Sequence, residues 1–180
     1  MKNVDTKYFY AELKNKSEVI YDHCKDILSD KDIKWESYYD FSIFKISNKL
    51  IDQEPILEKI NKKYKIKLIL ITKLEPYETY VWHTDSTRAA SINMILSPHE
   101  NKSYCLFGVP IKNSTKRMDF YELKYNPKTF YLFNTQVPHT VINFDKIRYI
   151  FTLEFVTEYD DLKYSDLYKW LRNENLLIDH

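Results

Sequence analysis

The sequence predicts an α+β fold in which an antiparallel sheet dominates and helices flank it. The hydrophobic period is helical over the first third of the chain and becomes two from Lys65 onward. Several short strands then follow in series before one last helix. Because free strand edges are a liability, such a series tends to close into a sandwich or jelly roll. At 180 residues, the chain is long enough for a sizeable core and is predicted to be one domain, residues 1–180.

Helices are predicted near the N-terminus. Residues 7–29 place apolar side chains at spacings near multiples of 3.6, which is typical of an amphipathic helix. The aromatic-rich segment 35–44 favours a strand. A second helix is predicted to open at Asp52-Gln53-Glu54-Pro55, because proline is tolerated in a first turn.

The strands of the predicted sheet follow, with a final helix after them. The predicted strands are 66–71, 88–96, 103–107, 116–122, 128–133, 138–143 and 147–157. In the last strand, alternation puts Tyr149, Phe151, Leu153 and Phe155 on one face. Ser165-Asp166 is the predicted cap of the final helix.

Composition makes several classes of function improbable. Lys and Arg number 27 against 26 Asp and Glu, so the basic excess that a nucleic-acid partner would favour is absent. The single glycine, Gly108, leaves no P-loop or dinucleotide fingerprint, since their phosphate turns require glycine. Cys24 and Cys105, the only cysteines, predict neither a disulfide scaffold nor a cysteine zinc site.

No segment predicts secretion or a membrane span. Residues 1–5 lead into a mixed polar pattern rather than a secretory apolar run. No stretch approaches the roughly 18 apolar residues that cross a bilayer. We therefore expect a cytoplasmic protein with no membrane partner.

Three residues form a candidate metal site: His83, Asp85 and His139. His83 and Asp85 are two positions apart, so on an extended segment they point to the same face. A second histidine from a distant strand would complete one face of an octahedron and leave three positions open. This pattern suits a non-haem Fe(II) centre that binds O₂ and a co-substrate together. The apolar Val81 and Trp82 predict that the ligands enter from an apolar wall, which limits water access.

Arg148 is the candidate binding group for an acidic co-substrate. It follows His139 by nine residues, the distance that a hairpin back to a neighbouring strand would give. Its guanidinium stays charged and can bind a carboxylate through two hydrogen bonds. The alternative is a strand arginine paired with a surface acid such as Glu154.

The order and spacing of these residues resemble one known family. The stretches 82–93 (WHTDSTRAASIN), 133–143 (FNTQVPHTVIN) and 148–151 (RYIF) are similar to motifs of the Fe(II)/2-oxoglutarate-dependent oxygenases, in particular compact prolyl-hydroxylase-like and aspartyl/asparaginyl-hydroxylase-like members. The resemblance covers roughly residues 66–157 and implies a double-stranded β-helix, a cupin-like jelly roll, over that range. It also implies that His83, Asp85 and His139 hold iron and that Arg148 pairs with the far carboxylate of 2-oxoglutarate.

The resemblance implies a dioxygenase that uses Fe(II), 2-oxoglutarate and O₂. The reaction would hydroxylate a C–H bond of an amino acid, a small metabolite or a protein side chain. One alternative is a cupin-type enzyme whose metal acts as a Lewis acid in hydrolysis or isomerisation. The other is a non-catalytic structural jelly roll.

The sequence departs from the family pattern at one position, and the source of the hydroxyl expected there and the roles of Asn93 and Arg88 each have more than one interpretation. Many relatives carry a serine or threonine two residues after the arginine, where this chain has Ile150, so Thr152, Tyr80 or Tyr131 would supply the hydroxyl. Asn93 would bind 2-oxoglutarate, orient a ligand histidine or be a satisfied polar group of the barrel. Arg88 would contact the bound acid, hold a substrate carboxylate or anchor the turn.

Two larger features complete the predictions. The irregular segment 97–116 is predicted to form a lid over the iron. The 16 tyrosines are scattered over predicted helices and strands, which speaks against one stacking platform and indicates burial in amphipathic elements.

Overall fold

The computed structural model describes residues 6–97, 102–111, 118–156 and 162–178. Its strands are β1 (Tyr10–Lys16), β2 (Glu36–Tyr38), β3 (Phe41–Ile46), β4 (Ile66–Leu74), β5 (Thr79–His83), β6 (Ala90–Ile95), β7 (Ser103–Pro110), β8 (Met118–Leu123), β9 (Thr129–Asn134), β10 (His139–Asn143) and β11 (Arg148–Phe155). Its helices are α1 (Glu18–Ser29), α2 (Pro55–Lys63) and α3 (Tyr164–Asn173), with short 3₁₀ turns at Thr6–Tyr8 and Asn48–Gln53.

The strands form two antiparallel sheets. The larger sheet has the order β1-β9-β6-β11-β4-β3-β2, and the smaller has the order β5-β10-β7-β8. From β4 to β11 the chain passes back and forth between the sheets, with β4, β6, β9 and β11 in one and β5, β7, β8 and β10 in the other. This alternation is the jelly-roll arrangement, so the predicted fold class is confirmed.

Two hydrophobic cores lie on opposite faces of the larger sheet. On one face, Ile71 and Phe151 belong to a cluster that includes side chains of all three helices. On the other face, between the sheets, Phe107 and Phe133 lie in a second cluster. Strand alternation therefore turns the odd-numbered side chains of β11 toward the helices and leaves Arg148 and its even-numbered neighbours facing the space between the sheets.

The helix predicted over 7–29 is wrong in its first half. Residues 10–16 form β1, which pairs with β9 at the edge of the larger sheet. Ala11 and Leu13 are buried in alternation, and Ser17 then caps α1 by accepting a hydrogen bond from the amide of Ile20. Phe9 and Leu13 are four positions apart, a spacing that fits both periods, so pairing with β9 decides the conformation.

The remaining differences are local. The segment predicted as one strand over 35–44 is the hairpin of β2 and β3, whose turn residue Tyr39 has a φ of 49°. Helix α3 begins at Tyr164 without a side-chain cap, one residue before the predicted Ser165-Asp166. Strands β1 to β3 extend the larger sheet beyond the predicted core span of 66–157.

The predicted lid over 97–116 is wrong for its central part. Residues 103–110 form β7, which lies between β10 and β8 in the smaller sheet. Residues 98–101 and 112–116 of that segment lie outside the described residues. Within the described ranges, none of the helices has the length and apolar character needed to span a bilayer.

Candidate metal centre

His83 and His139 face each other across two neighbouring strands. They are opposed in the antiparallel register of β5 and β10, and their ring centroids are 4.1 Å apart. Asp85 lies two residues beyond the end of β5, where its amide donates to the carbonyl of Thr135 at 3.0 Å. The three side chains thereby bring one ligand atom each to within 4.8 Å of one another.

The spacing of these atoms fits a single metal ion. Asp85 Oδ1 lies 3.4 Å from His83 Nε2 and 3.7 Å from His139 Nε2. Ligand atoms bound at about 2.1 Å and at right angles around one ion are separated by about 3 Å. A small closing movement of the three side chains would therefore complete the coordination.

Backbone carbonyls fix the tautomer of both histidines. His83 Nδ1 lies 2.7 Å from the carbonyl oxygen of Val81, and His139 Nδ1 lies 2.9 Å from that of Val137. A carbonyl oxygen only accepts, so each Nδ1 carries the proton and each Nε2 keeps a lone pair. His83 Nε2 is buried without a hydrogen-bond partner, which is costly for a polar atom unless something binds it. The donor set thus fits a metal.

Asp85 is held as a carboxylate with one oxygen free. Burial alone would raise the pKa of Asp85, but the charge of Arg88 and its hydrogen bond to the carboxylate oppose this effect and lower the pKa. Arg88 Nε donates to Asp85 Oδ2 at 2.6 Å, while Oδ1 faces the histidines. Of the roles considered for Arg88, the observed contact is this anchoring of the Asp85 turn.

His139 is held neutral, the state that a metal requires of an imidazole ligand. Burial, with the neighbouring His83, lowers the pKa of His139 to about 4. The rings of Phe133 and Phe107 pack around it, with centroids 4.9 and 6.1 Å away. The apolar surroundings of His139 thus come from β7 and β9, whereas Val81 and Trp82, the predicted apolar wall, are 59% and 42% exposed and do not line the cavity.

Arg148 is a buried cation in the same cavity. Only 8% of it is exposed, and its guanidinium carbon lies 5.9 Å from the centre of the Tyr125 ring. In the part of the chain that is described, no carboxylate forms an ion pair with Arg148. Glu154, the alternative partner, instead binds Lys67 at 3.1 Å, so a surface pair with Arg148 is contradicted.

Asn93 and Thr152 lie buried between the two arginines and line the cavity. Thr152 Oγ1 donates to Asn93 Oδ1 at 2.7 Å and accepts from the guanidinium of Arg88 at 3.3 Å. The hydroxyl of Thr152 is therefore already bonded on both sides. A chain of hydrogen bonds runs from Asn93 through Thr152 and Arg88 to Asp85.

Of the two tyrosines predicted as a substitute hydroxyl, Tyr131 does not serve. Its hydroxyl donates to Glu12 at 3.0 Å and accepts from the amide of Asn126 at 3.0 Å, so it is engaged elsewhere. Tyr80 does line the cavity, with its ring centroid 4.0 Å from that of His83. That contact places Tyr80 beside the metal ligands.

Tyr125 is the site residue that the sequence did not reveal. It lies in the loop between β8 and β9 and lines the cavity beside Arg148 and Cys105. Burial raises the pKa of Tyr125 and raises that of Cys105 to about 11, so both keep their protons at neutral pH. No strand period extends to residue 125, and so no sequence signal gives the direction of its side chain.

The metal ligands and Arg148 share one cavity of about 940 Å³. Its inner end lies between the two sheets, where His139 and Arg148 are buried. Its outer end lies over β2, β3 and β4, where Glu36, Lys45 and Lys67 are exposed. The volume accommodates a small co-substrate and a further molecule together.

No protein-family model matches the sequence, and no curated protein matches it. Solved structures do match. A prolyl-4-hydroxylase of Pseudomonas putida is similar with a TM-score of 0.61 at 12% identity, over 84% of this chain and 94% of that one. A 2OG-Fe(II) oxygenase family oxidoreductase of Burkholderia pseudomallei is similar with a TM-score of 0.54 at 12% identity, over 82% and 84% of the two chains. This is the fold of the 2OG-Fe(II) oxygenases.

A third similar structure comes from a virus. The collagen prolyl hydroxylase of Paramecium Bursaria Chlorella virus-1, solved as a 2OG complex, has a TM-score of 0.57 at 13% identity over 84% of this chain and 96% of that one. Identities this low establish a likeness of fold. The chemistry must be argued from this chain's own residues.

Proposed function

We propose that this protein is an Fe(II)- and 2-oxoglutarate-dependent dioxygenase that hydroxylates a C–H bond of an amino acid, a small metabolite or a protein side chain. The observation that carries the proposal is one cavity holding three convergent metal-ligand atoms and a buried guanidinium with no carboxylate partner among the described residues. The 2OG-Fe(II) oxygenase fold supports it.

His83 Nε2, Asp85 Oδ1 and His139 Nε2 would hold the ion on one face and leave the opposite face for exchangeable ligands. Fe(II) held there would supply the oxidising chemistry with O₂, in which 2-oxoglutarate gives succinate and CO₂ and one oxygen atom enters the substrate C–H bond. The two Nδ1–H bonds to backbone carbonyls hold both imidazoles in the ligating tautomer.

Arg148 would bind the far carboxylate of 2-oxoglutarate through its guanidinium. Tyr125 is the candidate for the hydroxyl that Ile150 cannot provide, because it is protonated and faces Arg148 across the cavity. Thr152 and Tyr125 both have hydroxyls that already bond Asn93, but only Tyr125 lies against the Arg148 guanidinium, so Thr152 is the weaker candidate. The proposed cofactor contacts are therefore Arg148 and Tyr125, with Asn93 and Thr152 lining the path between them and Asp85.

Arg88 would keep Asp85 a one-oxygen ligand. By binding Oδ2 it leaves only Oδ1 for the ion, and so the opposite coordination positions stay open. The rings of Phe107 and Phe133 keep water from His139. These residues would position the ligands and exclude solvent, while the reacting groups belong to the cofactors.

Succinate release tests this proposal. The protein, freshly loaded with Fe(II), is screened with 2-oxoglutarate against amino acids, peptides and nucleosides. We expect O₂-dependent succinate formation that His83→Ala abolishes and that His23→Ala, a change at an exposed histidine of α1, leaves intact. Turnover that needs no oxygen and yields no succinate would instead favour the Lewis-acid alternative.

A further inference from the structure

The charged side chains at the outer end of the cavity neutralise one another. Glu36 binds Lys45 at 2.7 Å, on the paired strands β2 and β3. Glu154 binds Lys67 at 3.1 Å, on the paired strands β11 and β4. An ionised substrate group would have to compete with these pairs for a partner.

The charges nearer the metal ligands are also paired, with one exception. Lys73 pairs with Glu75, and Asp85 binds Arg88 at 2.6 Å. Among the described residues that line the cavity, only Arg148 is left without an opposite charge. The proposed function assigns Arg148 to 2-oxoglutarate, so the other side chains that line the cavity carry no unpaired charge for an ionised prime substrate. Asp40, in the β2–β3 hairpin, lies near Tyr80 but does not line the cavity.

A continuous row of aromatic rings leads from the surface to the metal ligands. The row, which we call the aromatic wall, consists of Tyr39, Tyr38, Phe41 and Tyr80. Successive ring centroids are 4.7, 5.4 and 5.1 Å apart, and Tyr80 then lies 4.0 Å from the ring of His83. All four rings line the cavity.

The aromatic wall brings residues from separate parts of the sequence together in one surface. Tyr38, Tyr39 and Phe41 belong to the β2–β3 hairpin at the edge of the larger sheet, and Tyr80 comes from β5 of the smaller sheet. Tyr39 is 78% exposed and Tyr38 is 43% exposed, so the outer part of the wall is open to solvent. The floor of the outer cavity adds aliphatic side chains from β3 and β4, namely Ile43, Leu68 and Leu70.

We propose that the prime substrate presents an uncharged ring, aromatic or aliphatic, to the aromatic wall. The inference rests on the proposed function, because it takes the metal centre and Arg148 as the inner sites. Rings pack favourably edge-to-face and offset-stacked against other rings. A carboxylate at the same place would lose its hydration without gaining a partner, and an ammonium group would recover only part of its hydration from the ring faces. Because the wall ends at His83, the carbon that reacts lies on this ring or next to it.

Matched probes test the charge preference. Three ring systems, benzene, indole and cyclohexane, each carry a carboxamide, a carboxylate or an aminomethyl group, and the last of these is a charged ammonium at neutral pH. Binding to protein loaded anaerobically with Mn(II) and 2-oxoglutarate is followed by ligand-observed NMR. Broadening by Mn(II) reports only those probes that lie near the metal. We expect the uncharged carboxamide to bind at least about fivefold more tightly than either charged form in at least one ring system.

Two exposed tyrosines provide a matched pair of variants. Tyr39 and Tyr77 are 78% and 82% exposed, and both have a positive φ, but only Tyr39 lines the cavity. Tyr39→Ala should weaken binding of the preferred probe about threefold to tenfold, the range expected for one aromatic contact. Tyr77→Ala should leave it unchanged.

The outcomes distinguish failure of the proposed function from failure of the inference alone. If the protein fails to take up Mn(II) or 2-oxoglutarate, the proposed function fails and the inference fails with it. If it is loaded but binds a charged form as tightly as the carboxamide, or binds none of the probes near the metal, only the inference is overturned. Equal effects of Tyr39→Ala and Tyr77→Ala would also overturn it, since the aromatic wall would then play no part.

Discussion

At the scale of single residues, the candidate site depends on how hydrogen bonds divide the polar atoms. Arg88 takes one oxygen of Asp85 and leaves the other for a metal. Backbone carbonyls take the Nδ1 protons of His83 and His139 and leave their Nε2 atoms free to ligate. In each of the three residues, a hydrogen bond with a neighbour engages one polar atom and thereby leaves the other free to bind a metal.

Replacing Arg88 should weaken metal binding. Arg88→Gln removes the charge and the hydrogen bond that fix Asp85, so we expect the affinity for Mn(II) to fall about tenfold or more, as is usual when a contact behind a metal ligand is lost. Calorimetric titration of Mn(II) measures this, with Arg172→Gln, on the exposed side of α3, as the control. An unchanged affinity would show that Asp85 needs no such support.

Acid should destabilise the metal-free protein through His139. Its pKa is lowered to about 4 in the folded state, below the ordinary value of 6.5, so the unfolded chain binds the proton more readily. The stabilising contribution is complete above pH 6.5 and is lost as the pH falls to 4, by up to about 3 kcal/mol. Asp85 titrates below this window.

Denaturant unfolding at several pH values checks this prediction. His139→Gln should flatten the loss of stability between pH 6.5 and 4, whereas His23→Gln, at an exposed position, should retain the wild-type slope. Identical slopes in all three proteins would contradict a buried, neutral His139.

At the scale of elements, the single glycine, Gly108 of β7, lies in close contact with residues next to both histidine ligands. An added Cβ at Gly108 of β7 would lie 2.9 Å from the Trp82 ring and 2.5 Å from Met118 Cε. The amide of Gly108 donates to the carbonyl of Pro138, just before β10. The indole of β5 thus lies against the backbone of β7 next to His83.

Substituting Gly108 should strain this contact. Gly108→Ala is expected to destabilise the protein by about 1–3 kcal/mol, the usual effect of overpacking, because the rigid indole must move. Denaturant unfolding of Gly108→Ala, Trp82→Ala and the double variant measures the coupling. The glycine substitution should cost less once Trp82 is absent. Strictly additive effects would contradict the direct contact.

How much the sequence predicts also depends on the element. From Ile66 to Phe155, alternation predicted all the strands except β5 (Thr79–His83), and it predicted the inward direction of Arg148, because one face of β11 is buried. Residues 10–16 were not predicted as a strand, since their apolar spacing fits a helix equally well and only pairing with β9 determines the strand. Tyr125 was not predicted as a site residue, because the conformation of a loop determines the direction of its side chain.

At the scale of the whole molecule, the two sheets enclose a cavity whose inner end combines a possible cation site with a fixed cation. The three ligand atoms lie close together, and the positive Arg148 is buried in the same cavity, with no carboxylate partner among the residues described. A small dianion that bridges a metal and a guanidinium would satisfy both. This is the physical basis of the proposed co-substrate.

Anaerobic titration with Fe(II) and 2-oxoglutarate tests this central claim most directly. We expect a weak visible metal-to-ligand absorption band that requires both components and saturates at one equivalent of each. In Arg148→Gln the band should require about 10- to 100-fold more 2-oxoglutarate, since a charged hydrogen bond to the acid is lost. The absence of the band in the wild-type protein, or an identical titration in Arg148→Gln, would contradict the account.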